Sequence, residues 1–271
     1  MHLEGKTLRG TRCQRRKLQA LHVVSAWAGQ SGITLGQVAV AAKSNEITAL
    51  PELLQLLDLH ENIVTSEARG CQKAIAATLV TGGGDYVLAV KDNQPTLQVE
   101  LQAAFAQAPA PQLRSSRVAT PWDQGHGRQE ERTGQALPAQ DYLSAAHCAL
   151  WLGVLSVVMV TREGWGQATG VQSLEVSYFL SRLPPNARRI GHAIRGHGSI
   201  ENGLHWVLDV VFREDARRVY ERTAAANVAL LNRLALSLLR GDTSKDSMKV
   251  KRKRAGWSIP YLAQLLGFPS T

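Results

Sequence analysis

Cysteine is scarce in this 271-residue sequence, and long apolar runs are absent. The three cysteines, Cys13, Cys71 and Cys148, form no Cys-x-x-Cys pair, which excludes a disulfide framework and predicts free thiols in a reducing cytoplasm. No stretch approaches the roughly 20 apolar residues of a membrane helix, and residues 150–160 are better interpreted as a buried strand. The N-terminus lacks the apolar segment of a signal peptide. The sequence therefore predicts a cytoplasmic protein without a membrane span.

Acidic residues are too few to balance the basic ones. The chain has 31 Lys and Arg against 22 Asp and Glu, a net charge of +9 and a pI of about 9.8. This balance fits a polyanionic partner, nucleic acid before membrane, and it fits a basic enzyme without such a partner equally well. With 44% hydrophobic residues and no internal repeat, the length suits one large domain, or one domain and a smaller part of a second.

The first 108 residues alternate between strand and helix signals. Strands are predicted at residues 1–8, 21–28, 33–40, 62–67 and 85–91, and helices at 48–57, 71–79 and 96–107. Thr48 is the predicted N-cap of the first helix, with Pro51 in its first turn. Three strands followed by alternating helices and strands are typical of a ribonuclease-H-like core. The predicted fold class is therefore α/β with a mixed sheet.

The second half begins with a proline-containing linker and ends with basic residues. Residues 108–122 are the linker, and strand signals at 128–136, 154–162 and 174–181 predict a β-rich insertion before a helix that carries Glu201. A helix at 223–240 is predicted to bury Val228, Leu231, Leu234, Ala235 and Leu238, and a short helix at 259–266 closes the chain. The predicted domains are 1–108 and 185–242 for the core, 109–184 for the linker and insertion, and 243–271 for the basic tail and last helix.

Glu201 lies beside an apolar stripe at helical spacing, in a stretch that also contains two histidines, an arginine and a tryptophan. A carboxylate at the edge of a buried helix face must be paired or bound to a cation, because an isolated buried charge is too costly. Trp206, in the same stretch, is predicted to lie in the core.

Glu4 and Glu67 are the predicted partners of Glu201. In a core of this topology the first strand lies beside the end of the fourth, and a later helix packs against both. Converging carboxylates repel one another unless cations lie between them, and hard oxygen ligands select Mg²⁺ or Mn²⁺. Two such ions, roughly 3.5–4 Å apart, would stabilise the attacking and leaving oxygens of a phosphodiester displacement. The alternative is that Glu4 and Glu67 are surface residues at strand ends.

Nine short motifs occur in an order that resembles one known family. They are EGKTLRG from Glu4, GQV from Gly36, KSNEITALPELL from Lys43, EARGCQK from Glu67, GDYVLAVKDNQ from Gly84, GHGRQEER from Gly125, IENGLHWVLDV from Ile200, FREDA from Phe212 and KRKRAGW from Lys251. Over essentially its whole length the sequence resembles the DDE transposases of the ISAs-one insertion-sequence family, which includes the H-repeat-associated proteins.

The resemblance implies a ribonuclease-H-fold recombinase that uses two Asp and one Glu to hold divalent metal. Such enzymes cut transposon ends and join them to target DNA. The matching positions are Glu4 for the first Asp, Glu67 for the second, and Glu201 for the Glu. By this resemblance, all three are expected to be catalytic and to bind Mg²⁺ or Mn²⁺.

The sequence departs from the family pattern in three ways. Glu replaces Asp at positions 4 and 67, and the added methylene moves each carboxylate by about 1 Å, a shift that can cost ~10²-fold in rate. Gly198 and Ser199 stand where the family usually has Trp-Gly. The chain also starts almost at the first acidic residue, which predicts an N-terminally truncated and impaired copy. The alternative function is a non-catalytic, DNA-binding transposase remnant.

His197, Glu201 and His205 are four residues apart and would share one face of a continuous helix, as in a transition-metal site. Glycines on both sides of His197 instead predict a helix that starts near Ser199, which disfavours zinc. His205 is expected to contact DNA or to support Glu201.

Basic and amide side chains are predicted to bind DNA. His126, Arg128 and Arg132 alternate along one strand face, which could equally be a solvated surface. Lys91, Asn93 and Gln94 follow the central strand, where sites commonly form. The full predicted set is Lys6, Arg9, Lys91, Asn93, Gln94, His126, Arg128, Arg132, Arg195, His205, Lys249, Lys251, Arg252, Lys253 and Arg254. The expected partners are transposon-end and target DNA in the nucleoid, together with a second copy of the chain in a homodimer.

Overall fold

The elements of a computed structural model follow the predicted order. The structure describes residues 1–41, 44–115, 117–125, 128–166 and 172–268. The strands are β1 His2–Leu8, β2 Leu21–Ala28, β3 Ile33–Ala39, β4 Ile63–Ser66, β5 Asp85–Val90, β6 Arg117–Gly125, β7 Arg128–Pro138, β8 Ser156–Gly166 and β9 Gln172–Ser181. The α-helices are α1 Glu46–Leu54, α2 Lys73–Thr81, α3 Pro95–Gln107, α4 Ala110–Ser115, α5 Ala139–Tyr142, α6 Ala145–Leu150, α7 Ala187–Ile200, α8 Trp206–Val210, α9 Arg222–Gly241, α10 Met248–Trp257 and α11 Ile259–Leu265. Short 3₁₀ turns span Arg9–Thr11 and Ala68–Gly70, and a π-helical turn spans Glu201–His205.

The chain divides into two compact units. The first contains Met1–Leu57 and Gly196–Thr271, and the second contains Asp58–Arg195. The boundary near residue 195 falls inside α7, so one helix contributes residues to both units. The domain limits expected from the sequence remain a prediction.

The first unit contains three antiparallel strands. Strands β1 and β2 pair along their full lengths, with Glu4 opposite Ser25, and β2 pairs with β3. Gly32 turns the chain between β2 and β3 with φ of +68°, a left-handed conformation that glycine adopts without strain. The predicted hairpin and the antiparallel start of the chain are therefore confirmed.

Helix α1 starts earlier than its sequence suggested. The side chain of Asn45 accepts a hydrogen bond from the backbone N–H of Ile47, so Asn45 is the N-cap and Glu46 occupies the first turn. The prediction of Thr48 as the N-cap was wrong. Asn45, three residues earlier in the chain, caps the helix instead, because its side-chain oxygen accepts from a backbone N–H of the first turn. Thr48 itself lies within the first turn of α1.

The second unit contains a mixed sheet. Strands β4 and β5 are parallel, with Ser66 beside Leu88, and α2 connects them as in a βαβ unit. Strand β5 then pairs with β9, and β9, β8, β7 and β6 form an antiparallel series. Residues expected in the linker form α4 and β6. The α/β class and the element order of a ribonuclease-H-like fold are confirmed.

The core of the first unit forms around Trp27. Its fully buried indole packs with Ile200, Leu204, Leu208 and Leu236, so the helical segments that flank Glu201 are held against the sheet by apolar contacts. Burying an aliphatic side chain of this size contributes roughly 1.5–3 kcal/mol. The position of Glu201 therefore depends on a well-packed core.

Helix α9 buries a different face from the one predicted. Leu231 and Leu234 are 60% and 54% exposed, whereas Asn232 and Arg233 are buried. The reason is an ion pair, because Arg233 Nη1 lies 2.9 Å from Glu214 Oε1 and turns this polar stripe inward. The expectation that Trp206 lies in the core was also wrong, since its side chain is 56% exposed.

No helix among the described residues has both the length and the apolar character needed to cross a bilayer.

Candidate metal centre

A continuous helical segment carries Glu201. It begins at Ala187, passes through the π-turn of residues 201–205 and ends with α8, and the backbone N–H of Trp206 donates to the carbonyl of Glu201. The prediction that the helix starts near Ser199 was wrong. Gly196 does not break the helix but lies against β1, where a Cβ at this position would lie 3.0 Å from Cε1 of His2. The glycine instead lets the helix approach β1 closely.

The π-turn is the irregular part of this segment. Such turns contain an extra residue relative to an α-helix and are often found at functional sites. Here the turn starts at Glu201 and ends at His205, two side chains that face a common point. The ring of His197, one turn earlier, lies instead edge-on to the ring of His2, with 5.7 Å between centroids.

Glu4 on β1 meets the π-turn. His205 Nδ1 lies 3.7 Å from Glu4 Oε1 and 3.8 Å from Glu201 Oε2. One ligand atom from each of the three residues lies within 4.8 Å of the other two. Glu4 and His205 are about nine-tenths buried, whereas the Glu201 side chain is 68% exposed. The group therefore has two buried side chains and one that opens to solvent.

Burial first, and then the positive charges of Lys6 and Arg233, lower the pKa of His205 to about 4, which favours the neutral imidazole at pH 7. Its Nε2 is buried without a hydrogen-bond partner. A neutral imidazole offers one nitrogen lone pair, so two carboxylates and this ring form a donor set that suits a divalent cation such as Mn²⁺. These residues fit the kind of metal that the sequence predicted.

A buried ion-pair network lies next to this group. Lys6, two residues after Glu4, has its Nζ 2.6 Å from Asp209 Oδ2 and 4.0 Å from Glu214 Oε2. Arg233 also binds Glu214 and donates from Nε to Ser25 Oγ at 3.2 Å. The network joins β1, β2, the end of α8 and α9, and Lys6 is only 8% exposed.

Glu67 belongs to the second unit. It follows β4 directly, is exposed, and precedes the 3₁₀ turn Ala68–Gly70. Two amides hold this turn, because Asn93 Nδ2 donates to the carbonyl of Ala68 at 2.6 Å and Gln94 Nε2 donates to that of Cys71 at 3.0 Å. The structure therefore brings Glu4 and Glu201 together, while the convergence of Glu67 with them remains a prediction.

Comparison with known proteins identifies the family. The family described as "Transposase DDE domain" matches residues 3–238. The chain belongs to the DDE transposases. It is similar to the protein named "Putative transposase YncI" of Escherichia coli O157:H7, with 36% identity over 97% of this chain and 68% of that protein. It is also similar to the "H repeat-associated putative transposase YhhI" of Escherichia coli K12, with 34% identity over 97% of this chain and 70% of that protein. The resemblance found in the sequence is confirmed.

The predicted DNA-binding residues of the transposase differ in exposure. Those with exposed side chains are Arg9, Lys91, Asn93, Arg195, Lys249, Arg252, Lys253 and Arg254. Lys6 and Lys251 are buried instead, and Lys251 Nζ donates to the carbonyl of Asp242 at 2.5 Å. Arg132 lies 2.5 Å from Glu130 on β7, a strand that also contains Arg128, while His126 lies outside the described residues. DNA contact by all members of the set remains a prediction.

Proposed function

We propose that this transposase cuts DNA at insertion-sequence ends and joins the cut ends to target DNA, with Glu4, Glu67 and Glu201 holding Mg²⁺ or Mn²⁺. The observation that supports this most directly is the approach of Glu4 and Glu201 to His205, because these carboxylates come from positions 197 residues apart in the chain. Membership of the DDE transposase family supports the DNA substrate, and so does the net charge of +9.

Each side chain would have a separate task in this reaction. Glu4, fixed on a paired strand, and Glu201, whose side chain is largely exposed, would bind the cation together. The bound ion would supply Lewis-acid stabilisation to the phosphate and lower the pKa of the attacking water. Lys6 would keep β1 in place through Asp209, and the exposed basic residues would bind the DNA backbone. In the joining step a 3′-hydroxyl would replace water as the nucleophile.

We propose further that the two glutamates at Asp positions slow this copy of the enzyme. A side chain longer by one methylene displaces its carboxylate by about 1 Å, enough to cost ~10²-fold in rate at a metal site. The variants Glu4→Asp and Glu67→Asp should therefore raise the cleavage rate, most clearly when combined. Unchanged rates in both variants would contradict this part of the proposal.

A plasmid-nicking assay tests the proposal. Supercoiled DNA carrying candidate element ends would be incubated with Mg²⁺ or Mn²⁺ and the parent, Glu201→Gln or Glu52→Gln. Glu52 is an exposed residue of α1 and serves as the matched control. Metal-dependent nicking by the parent and the control, lost in Glu201→Gln, is expected. DNA binding without nicking in any metal would favour the DNA-binding remnant instead.

A further inference from the structure

We propose that His205 is a direct ligand, through Nδ1, of the cation held by Glu4 and Glu201, and that this nitrogen makes the site prefer Mn²⁺ over Mg²⁺. The inference rests on the proposed metal site and extends it with a third ligand. It changes the expected role of His205 from a DNA contact or a support for Glu201 to a metal ligand.

The distances around His205 Nδ1 are too long for hydrogen bonds and short enough for the three side chains to share an ion. Separations of 3.7 Å to Glu4 Oε1 and 3.8 Å to Glu201 Oε2 exceed the length of a hydrogen bond. Two ligands that each lie about 2.1 Å from one cation are roughly 3.0 Å apart when adjacent and about 4.2 Å apart when opposite. Both observed separations fall in that interval, and the three atoms lie within 4.8 Å of one another, so a movement of the exposed Glu201 side chain would let one ion contact all three.

The ring of His205 is held where it can bind such an ion. It is 8% exposed and follows Leu204, whose side chain is fully buried against Trp27. Its Nδ1 faces Glu4 Oε1 and Glu201 Oε2. Exposed Glu201 lies on the side from which an ion and its remaining water ligands would enter.

A nitrogen ligand changes which metal the site selects. Mg²⁺ prefers oxygen ligands and near-ideal octahedral geometry, whereas imidazole ligands favour transition-metal ions. Mn²⁺ accepts carboxylates and imidazole together. A set of two carboxylates and one histidine therefore favours Mn²⁺, and loss of the histidine should remove most of that preference.

Pulsed electron paramagnetic resonance of Mn²⁺ bound to the full chain tests this inference, because it detects a directly bonded ¹⁴N nucleus. The samples would be the parent, His205→Gln and the control His192→Gln, which changes an exposed histidine of α7. Nitrogen coupling is expected in the parent and the control and should disappear in His205→Gln. Mn²⁺ affinity should fall ~10–100-fold in His205→Gln, and Mg²⁺ affinity less than threefold.

Each other result has a defined meaning. Mn²⁺ that binds the parent without nitrogen coupling would overturn the role of His205 and leave the carboxylate site in place. Failure of the parent to bind Mn²⁺ would overturn the proposed function itself. If His205→Gln does not fold, the parent protein labelled with ¹⁵N-histidine gives the same test. A histidine bound to Mn²⁺ would then show ¹⁵N coupling in place of the ¹⁴N coupling. Among the described residues only His205 groups with Glu4 and Glu201.

Discussion

The ammonium of Lys6 lies 2.6 Å from the carboxylate of Asp209, and this ion pair joins the strand that carries Glu4 to the helical segment that carries Glu201. Lys6 is two residues from Glu4, and Asp209 is on α8, which follows the π-turn directly. The pair therefore fixes two elements whose side chains must meet for a cation to bind. Lys6, which the sequence suggested as a DNA contact, therefore pairs with Asp209 of the same chain.

Replacement of Lys6 by Met should mainly lower the free energy of unfolding, with a smaller effect on the affinity for DNA. Loss of the ion pair leaves Asp209 without its partner, and the expected decrease in unfolding free energy is about 1–3 kcal/mol, because Asp209 is partly exposed. Urea denaturation measures this loss. Arg9→Met is the matched control, since Arg9 is 84% exposed and 3.6 Å from Asp215.

The same two variants separate structure from DNA contact. The salt dependence of DNA affinity should be unchanged in Lys6→Met, whereas Arg9→Met should reduce its slope by roughly one unit if Arg9 neutralises a phosphate. A reduced slope in Lys6→Met with normal stability would show that Lys6 reaches DNA after all.

Replacement of Asn93 by Ala should loosen the turn that follows Glu67. The carbonyl of Ala68 would lose the amide that donates to it at 2.6 Å, and the turn would open more often. Hydrogen exchange of the amides of residues 68–72 should therefore become faster. The affinity for DNA, measured without metal, should stay within twofold of the parent value. The comparison is Lys91→Ala, a change at an exposed neighbouring residue. Weaker DNA binding with unchanged exchange would instead support the DNA contact expected from the sequence.

The sequence predicted the elements well because their signals are local. Alternation, glycine and proline positions marked the strands and most helix ends. The apolar stripe beside Glu201 is also confirmed, since Leu204 and Leu208 are buried. Gly196 was misleading, because a glycine that allows close packing on His2 looks the same in sequence as one that ends a helix.

The details of the site depend on tertiary contacts and could not be predicted. Lys6 and Asp209 are 203 residues apart, and no local pattern identifies them as partners. The buried face of α9 was mistaken because the ion pair of Arg233 with Glu214 outweighs the apolar stripe of Leu231 and Leu234. The π-turn also has no sequence signal that we recognise, and the closeness of His205 to Glu4 became evident only in three dimensions.

Removal of Glu214 should be strongly destabilising. Arg233 is fully buried, and without the carboxylate 2.9 Å away its charge is uncompensated, so Glu214→Ala should cost about 3–5 kcal/mol. The double variant Glu214→Ala with Arg233→Met removes both charges and should be more stable than Glu214→Ala alone. Urea denaturation of Glu214→Ala, Arg233→Met and the double variant gives the coupling energy. Additive losses would contradict a direct pairing.

Asp242 should make stability depend on acid pH. Hydrogen bonds from the hydroxyl of Tyr261 and from Ser244, together with the charge of Lys251, hold the pKa of Asp242 well below its usual range. Its stabilising effect is therefore complete above the unfolded-state pKa of about 3.9 and is lost as the pH falls through the folded-state value.

The variant Asp242→Asn should consequently be less stable than the parent at pH 7, and the difference should shrink as the pH falls below about 4. Thermal melts over a pH series measure the difference. Asp246→Asn, at an exposed residue 3.7 Å from Arg254, should change stability little. A difference for Asp242→Asn that persists undiminished to pH 2 would contradict the assigned pKa direction.

Calorimetric titration with Mn²⁺ tests the central claim most directly. Parent protein and Glu52→Gln should both give a saturable binding curve, and Glu201→Gln should lose it or bind at least ~10-fold more weakly, because a carboxylate ligand of the ion is gone. Identical curves for the three proteins would mean that Glu201 holds no metal, and the proposed metal site would be wrong.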